Sequence, residues 1–121
     1  MKDRVLYIHI ENETDFFERA IAAAKRIDAK LPVSDPEHLS FTTYEQFIAA
    51  LSDKRMELLS VLKGLGPSSI RALSKAVTRD YKSVHGDVSR LMKIGLIEKR
   101  EDGLIEAPFD KIVSEIRLKA A

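Results

Sequence analysis

The chain has 121 residues, 45% of them hydrophobic, with no cysteine and a formal net charge of +1. That length holds one domain, or one small domain with an appendage. Disulfides and thiolate metal sites are excluded, which fits a reducing, cytoplasmic setting. No apolar run approaches the ~20 residues of a membrane span, so no membrane partner is expected. The near-zero net charge hides a division along the chain. Residues 1–51 carry 6 Lys/Arg against 9 Asp/Glu, residues 52–94 carry 9 against 4, and residues 95–121 carry 5 against 6. The basic excess in the middle third is either an electrostatic footprint for a polyanion or a set of ordinary solvated helix faces.

The opening residues, MKDRVLYIHIENE, alternate and soon turn acidic, so no signal peptide is expected. Residues 5–10 (VLYIHI) are apolar on both alternating faces, which predicts a strand covered on both sides. Thr14 reads as an N-cap, with Asp15 and Glu18 near the positive end of the helix dipole. Phe16, Phe17, Ala20, Ile21, Ala24 and Ile27 then recur at helical spacing to about Ala29. Residues 31–40, LPVSDPEHLS, read as a loop or linker because of their two prolines. Thr42 followed by Glu45 has the capping-box pattern and opens a helix whose face is Tyr44, Phe47, Ile48 and Leu51.

Ser52 starts the most regular stretch. A helix over about 53–63 points Met56, Leu58, Leu59 and Leu62 inward, and the GLGP at 64–67 stops it. Ser69 caps a short helix over 70–77, with Ile70, Leu73 and Val77 inward. Thr78 is read as the cap of a third helix, 79–94, with Asp80 in its first turn and Gly95 just past its end. Leu96 to Arg100 reads as a strand. Asp102-Gly103 is the strongest short hairpin signal in the chain, and Leu104 to Ala107 returns as its partner. Ile112, Ser114, Ile116 and Leu118 alternate as a last strand, with a short helix as the competing reading. The order of helix, short helix, longer helix and hairpin predicts an α+β, mainly α, winged helix-turn-helix over residues 41–121. A strand–helix extension over residues 1–40 precedes it, as a dimerisation or partner-binding element.

On a helical wheel Tyr81, Val84, Val88 and Leu91 fall within about 80° of one another and form the expected core stripe. The opposite side carries Arg79, Lys82, Gly86, Ser89, Arg90 and Lys93. Glycine costs a helix interior about 1 kcal/mol relative to alanine, yet Gly86 sits at the centre of this cationic face. A missing side chain lets a helix backbone approach another surface closely. A DNA major groove is such a surface, with the cations meeting phosphate and Lys82, Ser83 and His85 reaching base edges. The bland reading is a tolerated surface defect. Asp87 is expected to orient Arg90 or to tie the helix to Arg71. Lys99 and Arg100 are candidate wing contacts, weakened by Glu101 and Asp102 at the tip. His9, His38 and His85 have no metal-ligand spacing, and no acid/base pair or glycine-rich phosphate loop is present. No catalysis, metal or cofactor is expected.

From Ser52 onward, RMELLSVLKGLGPSSIRALSKAVTRDYKSVHGDVSRLMKIGLIEKR and the DG hairpin resemble winged-helix transcriptional regulators of the broad MarR/ArsR type. RDYKSVHGDV more narrowly resembles a group of small stand-alone DNA-binding proteins of archaea and bacteria, some of them paired with a toxin-like partner. The resemblance implies sequence-specific binding of double-stranded DNA, with an antitoxin role as a further implication. It also implies an arginine where this chain has Gly86, so the glycine is open to a second account as a lost DNA contact. The leading expectation is a homodimeric DNA-binding regulator, the N-terminal strand supplying the dimer contact by pairing with the C-terminal strand. The alternative is a protein-interaction module, or an antitoxin that binds a small toxin-like protein through residues 1–40, with or without DNA binding.

Overall fold

The computed structural model describes residues 3–29 and 37–118. In chain order they form β1 (Val5–Ile10), α1 (Glu13–Asp28), β2 (Glu37–Phe41), α2 (Tyr44–Ala50), α3 (Asp53–Leu65), α4 (Ile70–Val77), α5 (Tyr81–Lys93), β3 (Glu98–Lys99), β4 (Ile105–Glu106) and β5 (Lys111–Ile116). The architecture is α+β and mainly helical. It divides into two compact units, one of Met1–Arg4 with Ile48–Asp110, the other of Val5–Phe47 with Lys111–Ala121. A single cut at residue 40 therefore does not describe the folding units. Strand pairing returns β5 to β1, and the second unit is assembled from both ends of the chain.

In that second unit the sheet order is β2-β1-β5, and both pairings are parallel. β1 is central, so both of its hydrogen-bonding edges are used within the chain. The expected pairing of N- and C-terminal strands exists, in the register Val5↔Lys111 to Ile10↔Ile116, but it joins one chain to itself. Strand addition through β1 is thereby unavailable for dimerisation. Leu6, Ile8 and Ile10 are buried while Tyr7 is exposed and His9 half-buried, so β1 is covered on one face rather than two. The neighbours in register on the less covered face are His38, Ser40, Lys111, Val113 and Glu115, all but one of them polar.

The helix α1 starts two residues earlier than expected. Asn12, not Thr14, is its cap, with Oδ1 accepting from the Asp15 N–H at 2.9 Å. Its apolar stripe is not core, because no residue of α1 is buried. The polar anchor is Arg19, whose Nη2 donates to Glu11 Oε1 at 2.6 Å and to Ser40 Oγ at 2.9 Å. The expected loop over 31–40 ends in strand β2 from Glu37 onward; its two prolines lie outside the described residues. The α2 cap is Thr43, one residue beyond the expected Thr42, with Oγ1 accepting from the Gln46 N–H at 3.1 Å.

The other unit is built around α3, α4 and α5. Ser52 caps α3, and Ser69 caps α4 as expected. Leu58, Leu59, Leu62, Leu73, Val84, Val88, Leu91, Leu96, Ile97 and Ile105 are buried. Met56 is an exception to the expected inward set and is exposed. Thr78 does not cap α5. It ends α4 in the left-handed region, φ 56 and ψ 48, and the cap moves on to Asp80, whose Oδ2 accepts from the Ser83 N–H at 2.9 Å. The third helix accordingly spans Tyr81–Lys93 rather than 79–94.

The hairpin strands are two residues each, shorter than expected, because Leu96 and Ile97 turn into the core before β3 begins. Arg100 N–H donates to the Leu104 carbonyl at 2.8 Å and Gly103 N–H to the Arg100 carbonyl at 3.0 Å. Gly103, at φ 85, closes this three-residue loop in a conformation that suits glycine. Ser68, between α3 and α4, exchanges two backbone hydrogen bonds with Ile105, at 3.0 and 2.9 Å. The helix-to-helix connection is thus a third rung on the hairpin. At its base Arg4 N–H donates to Asp110 Oδ2 at 2.8 Å and the Arg4 guanidinium reaches Glu98 at 3.0 Å.

His38 is exposed and lies in strand β2, not in the loop expected over residues 31–40. His9 Nε2 and His38 Nδ1 lie 2.7 Å apart, with the rings stacked at 4.9 Å. Burial lowers both pKa values below the ordinary 6.5, and the positive charge of Arg19 lowers them further. Because the unfolded chain binds these protons more readily, their contribution to stability is complete above about pH 6.5 and is lost as pH falls below it towards the folded values. The carboxylates of Glu11 and Asp87, lowered from ordinary values of 4.5 and 3.8, act only in a more acidic window. An NMR titration is expected to place both imidazole midpoints below 6.5, and Arg19→Gln is expected to move both upward; ordinary midpoints unaffected by that substitution contradict the account.

Candidate nucleic-acid interface

The buried stripe of α5 is Val84, Val88 and Leu91. Tyr81, expected as a fourth member, is 47% exposed. It lies in the first turn just after the Asp80 cap, where the chain leaves the core, and its ring takes the Arg71 guanidinium at 5.6 Å and faces His85 at 5.9 Å. Arg71 and Tyr81 thus form an exposed cation–aromatic pair beside the front of α5. The sequence reading missed it because the helical wheel groups Tyr81 with the apolar residues. The signal available was its position in the first turn.

Of the expected contact residues, Lys82, Ser83, His85, Gly86, Arg90 and Lys93 are exposed on α5, and Ser89 is half-buried. Lys82, Gly86, Arg90 and Lys93 follow one another at helical spacing, so they share a face. Among the described residues, Lys82, Arg90 and Lys93 have no carboxylate partner, leaving this face a concentrated positive charge. A Cβ added at Gly86 would meet nothing within 4 Å. No packing among the described residues requires glycine there.

Arg79 stands apart from the others. It precedes α5, is half-buried, and donates from Nη2 to Asp87 Oδ2 at 2.7 Å. Arg55 of α3 donates from Nε to the other carboxylate oxygen at 3.1 Å. Asp87 therefore binds neither of the two partners expected from sequence, Arg90 and Arg71; it joins α5 to α3 and to the turn before α5. Burial by itself would raise the Asp87 carboxyl, but the hydrogen bonds from Arg79 and Arg55 outweigh it and hold the pKa below the ordinary value. Arg55 also donates from Nη1 to the carbonyls of Ala49 and Ala50, at 2.8 and 3.1 Å, satisfying the end of α2.

In the hairpin Lys99 is exposed and has no carboxylate partner among the described residues. Arg100 is partly neutralised by Asp102 at 3.4 Å and Glu106 at 3.9 Å. Of the two expected wing cations, Lys99 is therefore the freer. Among the described residues no group of three or more metal-ligating side chains occurs, and no helix is long and apolar enough to cross a membrane.

The model of a protein family designated HVO_A0114 matches residues 50–114, more than half of the chain, and spans α3 to α5 and the hairpin. No curated protein matches the sequence.

The brace at Asp87 lies inside this matched span. Its side chain is 16% exposed and those of Arg55 and Arg79 are 12% and 24% exposed. Asp87→Ala leaves two guanidinium groups facing one another without their counter-charge, and it is expected to destabilise the unit by about 3 kcal/mol, the scale for removing one partner of a buried pair. Denaturant unfolding measures this; a loss below about 0.5 kcal/mol, the size of a surface pair, contradicts the brace.

Proposed function

The chain belongs to the HVO_A0114 family, and from that premise we propose that it is a sequence-specific, double-stranded DNA-binding regulator built on a winged helix-turn-helix. α4 and α5 are the helix-turn-helix and α5 is its reading helix. β3 and β4, with the Ser68 rung, are the wing. The observation that carries this reading is the exposed face of Lys82, Gly86, Arg90 and Lys93, cationic and unneutralised among the described residues. The physical logic is counter-charge at close range. A major groove admits one α-helix, phosphates line its walls, and its base edges present acceptors to lysine and mixed partners to serine. Lys82, Arg90 and Lys93 meet phosphate, Ser83 and His85 at the front of the helix face the bases, and Lys99 reaches the backbone from the wing.

Gly86 lets the helix backbone sit nearer the groove than a side chain allows. That it has open space around it within the protein supports a reason outside the protein. One module making few contacts binds weakly, and a two-fold pair of copies presents two reading helices to half-sites about 34 Å apart.

Binding is measured by fluorescence anisotropy, first on a pool of random duplexes and then on sequences selected from it. Affinity is expected to fall steeply with salt, because bound counterions are released. The double variant Lys82→Glu with Arg90→Glu is expected to lose binding; unchanged affinity removes α5 as the reading element. Gly86→Ala is expected to raise stability by about 0.5–1 kcal/mol, since alanine is the better helix former, and yet to weaken DNA binding. Stabilisation with unaltered affinity leaves the glycine a surface defect.

A further inference from the structure

His9 and His38 lie 29 positions apart in the chain, a separation that carries no ligand signal in the sequence. Parallel pairing of β1 with β2 brings them together. Tyr7 is in register with His38, and His9 is the next residue of β1 on the same face. His9 Nε2 and His38 Nδ1 are 2.7 Å apart while the ring centroids are 4.9 Å apart. The rings therefore splay from a shared point at their nitrogens. A neutral imidazole carries its proton on either nitrogen. When both protons sit on the far nitrogens, two lone pairs meet at that point.

The separation says which ion fits. Two bonds of about 2.0 Å at the right angle of a tetragonal ion set the nitrogens about 2.8 Å apart, whereas tetrahedral zinc sets them about 3.3 Å apart. The observed 2.7 Å matches the first arrangement without rebuilding either strand. Access and room are both present. His38 is exposed and His9 half-buried, and His9 opens on a cavity of about 310 Å³ that Glu11, Glu18, Arg19 and Glu115 also line. Water fills the coordination positions that two histidines leave. Glu115 is in register with His9 on the neighbouring strand, so a carboxylate stands beside the site. Arg117 also lines the cavity, but it is paired with Glu115, and Arg19 is held by Glu11 and Ser40.

We propose that His9 and His38 form a chelate site for a divalent tetragonal metal ion of the Ni²⁺ or Cu²⁺ class, bridging β1 and β2. Metal binding needs neutral imidazoles. Burial, reinforced by the charge of Arg19, already holds both pKa values below the ordinary 6.5, so both rings are ready at pH 7. The site is independent of the DNA-binding reading, and its test uses no DNA.

Ni²⁺ is titrated into the full, untagged chain at pH 7 and followed by calorimetry and by paramagnetic broadening of NMR signals. His85 is a control within the same molecule, because its ring neighbour is Tyr81 rather than a second imidazole. One Ni²⁺ per chain is expected, with signals around His9 and His38 broadened before those around His85. His9→Gln and His38→Gln are each expected to weaken binding at least tenfold, and Zn²⁺ is expected to bind less tightly than Ni²⁺. His38 is exposed, so His38→Gln carries the test if His9→Gln unfolds the sheet. Equal broadening at His85, or Ni²⁺ affinity unchanged in His38→Gln, overturns the site. Zn²⁺ bound as tightly as Ni²⁺ overturns the tetragonal assignment.

Discussion

Asp87 accepts from Arg55 at 3.1 Å and from Arg79 at 2.7 Å, one guanidinium on each carboxylate oxygen. That pair of bonds fixes α5 against α3 and against the turn that precedes it. The buried residues Val84, Val88 and Leu91 hold the helix in the core by apolar contact, but such contact is non-directional. A charged, two-sided bond in a half-buried position is directional and sets rotation about the helix axis. Rotation decides which residues face water. Lys82, Gly86, Arg90 and Lys93 are outward partly because Asp87 is held at the flank of the inward side.

The same brace explains a division of labour among the arginines. Arg79 and Arg55 are spent on structure, with side chains 24% and 12% exposed. Arg90 stays exposed on α5. In a region with a basic excess, this removes two cations from the surface while leaving a compact patch on one helix. Lys63, paired to Asp110 at 3.0 Å, is a third cation withdrawn in this way, near the place where Arg4 is latched to Glu98 and Asp110.

The sheet unit is organised on a different principle. Its central strand uses both edges within the chain, and backbone hydrogen bonds supply the order. Side-chain burial is lopsided, with Leu6, Ile8 and Ile10 covered and the His9, His38 and Glu115 side polar. α1 is joined to this unit by a charged contact at Arg19 and Glu11, and its apolar stripe is exposed among the described residues. A unit that satisfies its backbone but not its apolar surface has its remaining free energy of burial available for association.

Local signals in the sequence determined most elements by their own chemistry. Ser52 and Ser69 cap helices because a hydroxyl satisfies a free N–H wherever it falls. Asp102-Gly103 makes a hairpin because glycine reaches positive φ without strain, and the 3.6-residue period picks out Val84, Val88 and Leu91. The outward position of Lys82, Gly86, Arg90 and Lys93 followed from the same period. What only the tertiary structure decided were relations between distant parts: β5 beside β1, His38 beside His9, Asp87 taken by Arg55 rather than Arg90, and Tyr81 left at the surface under Arg71. Periodicity describes one helix or strand at a time. Which partner an ionic or edge group finds depends on three-dimensional proximity between residues up to about a hundred positions apart in the chain, and no local pattern carries that distance.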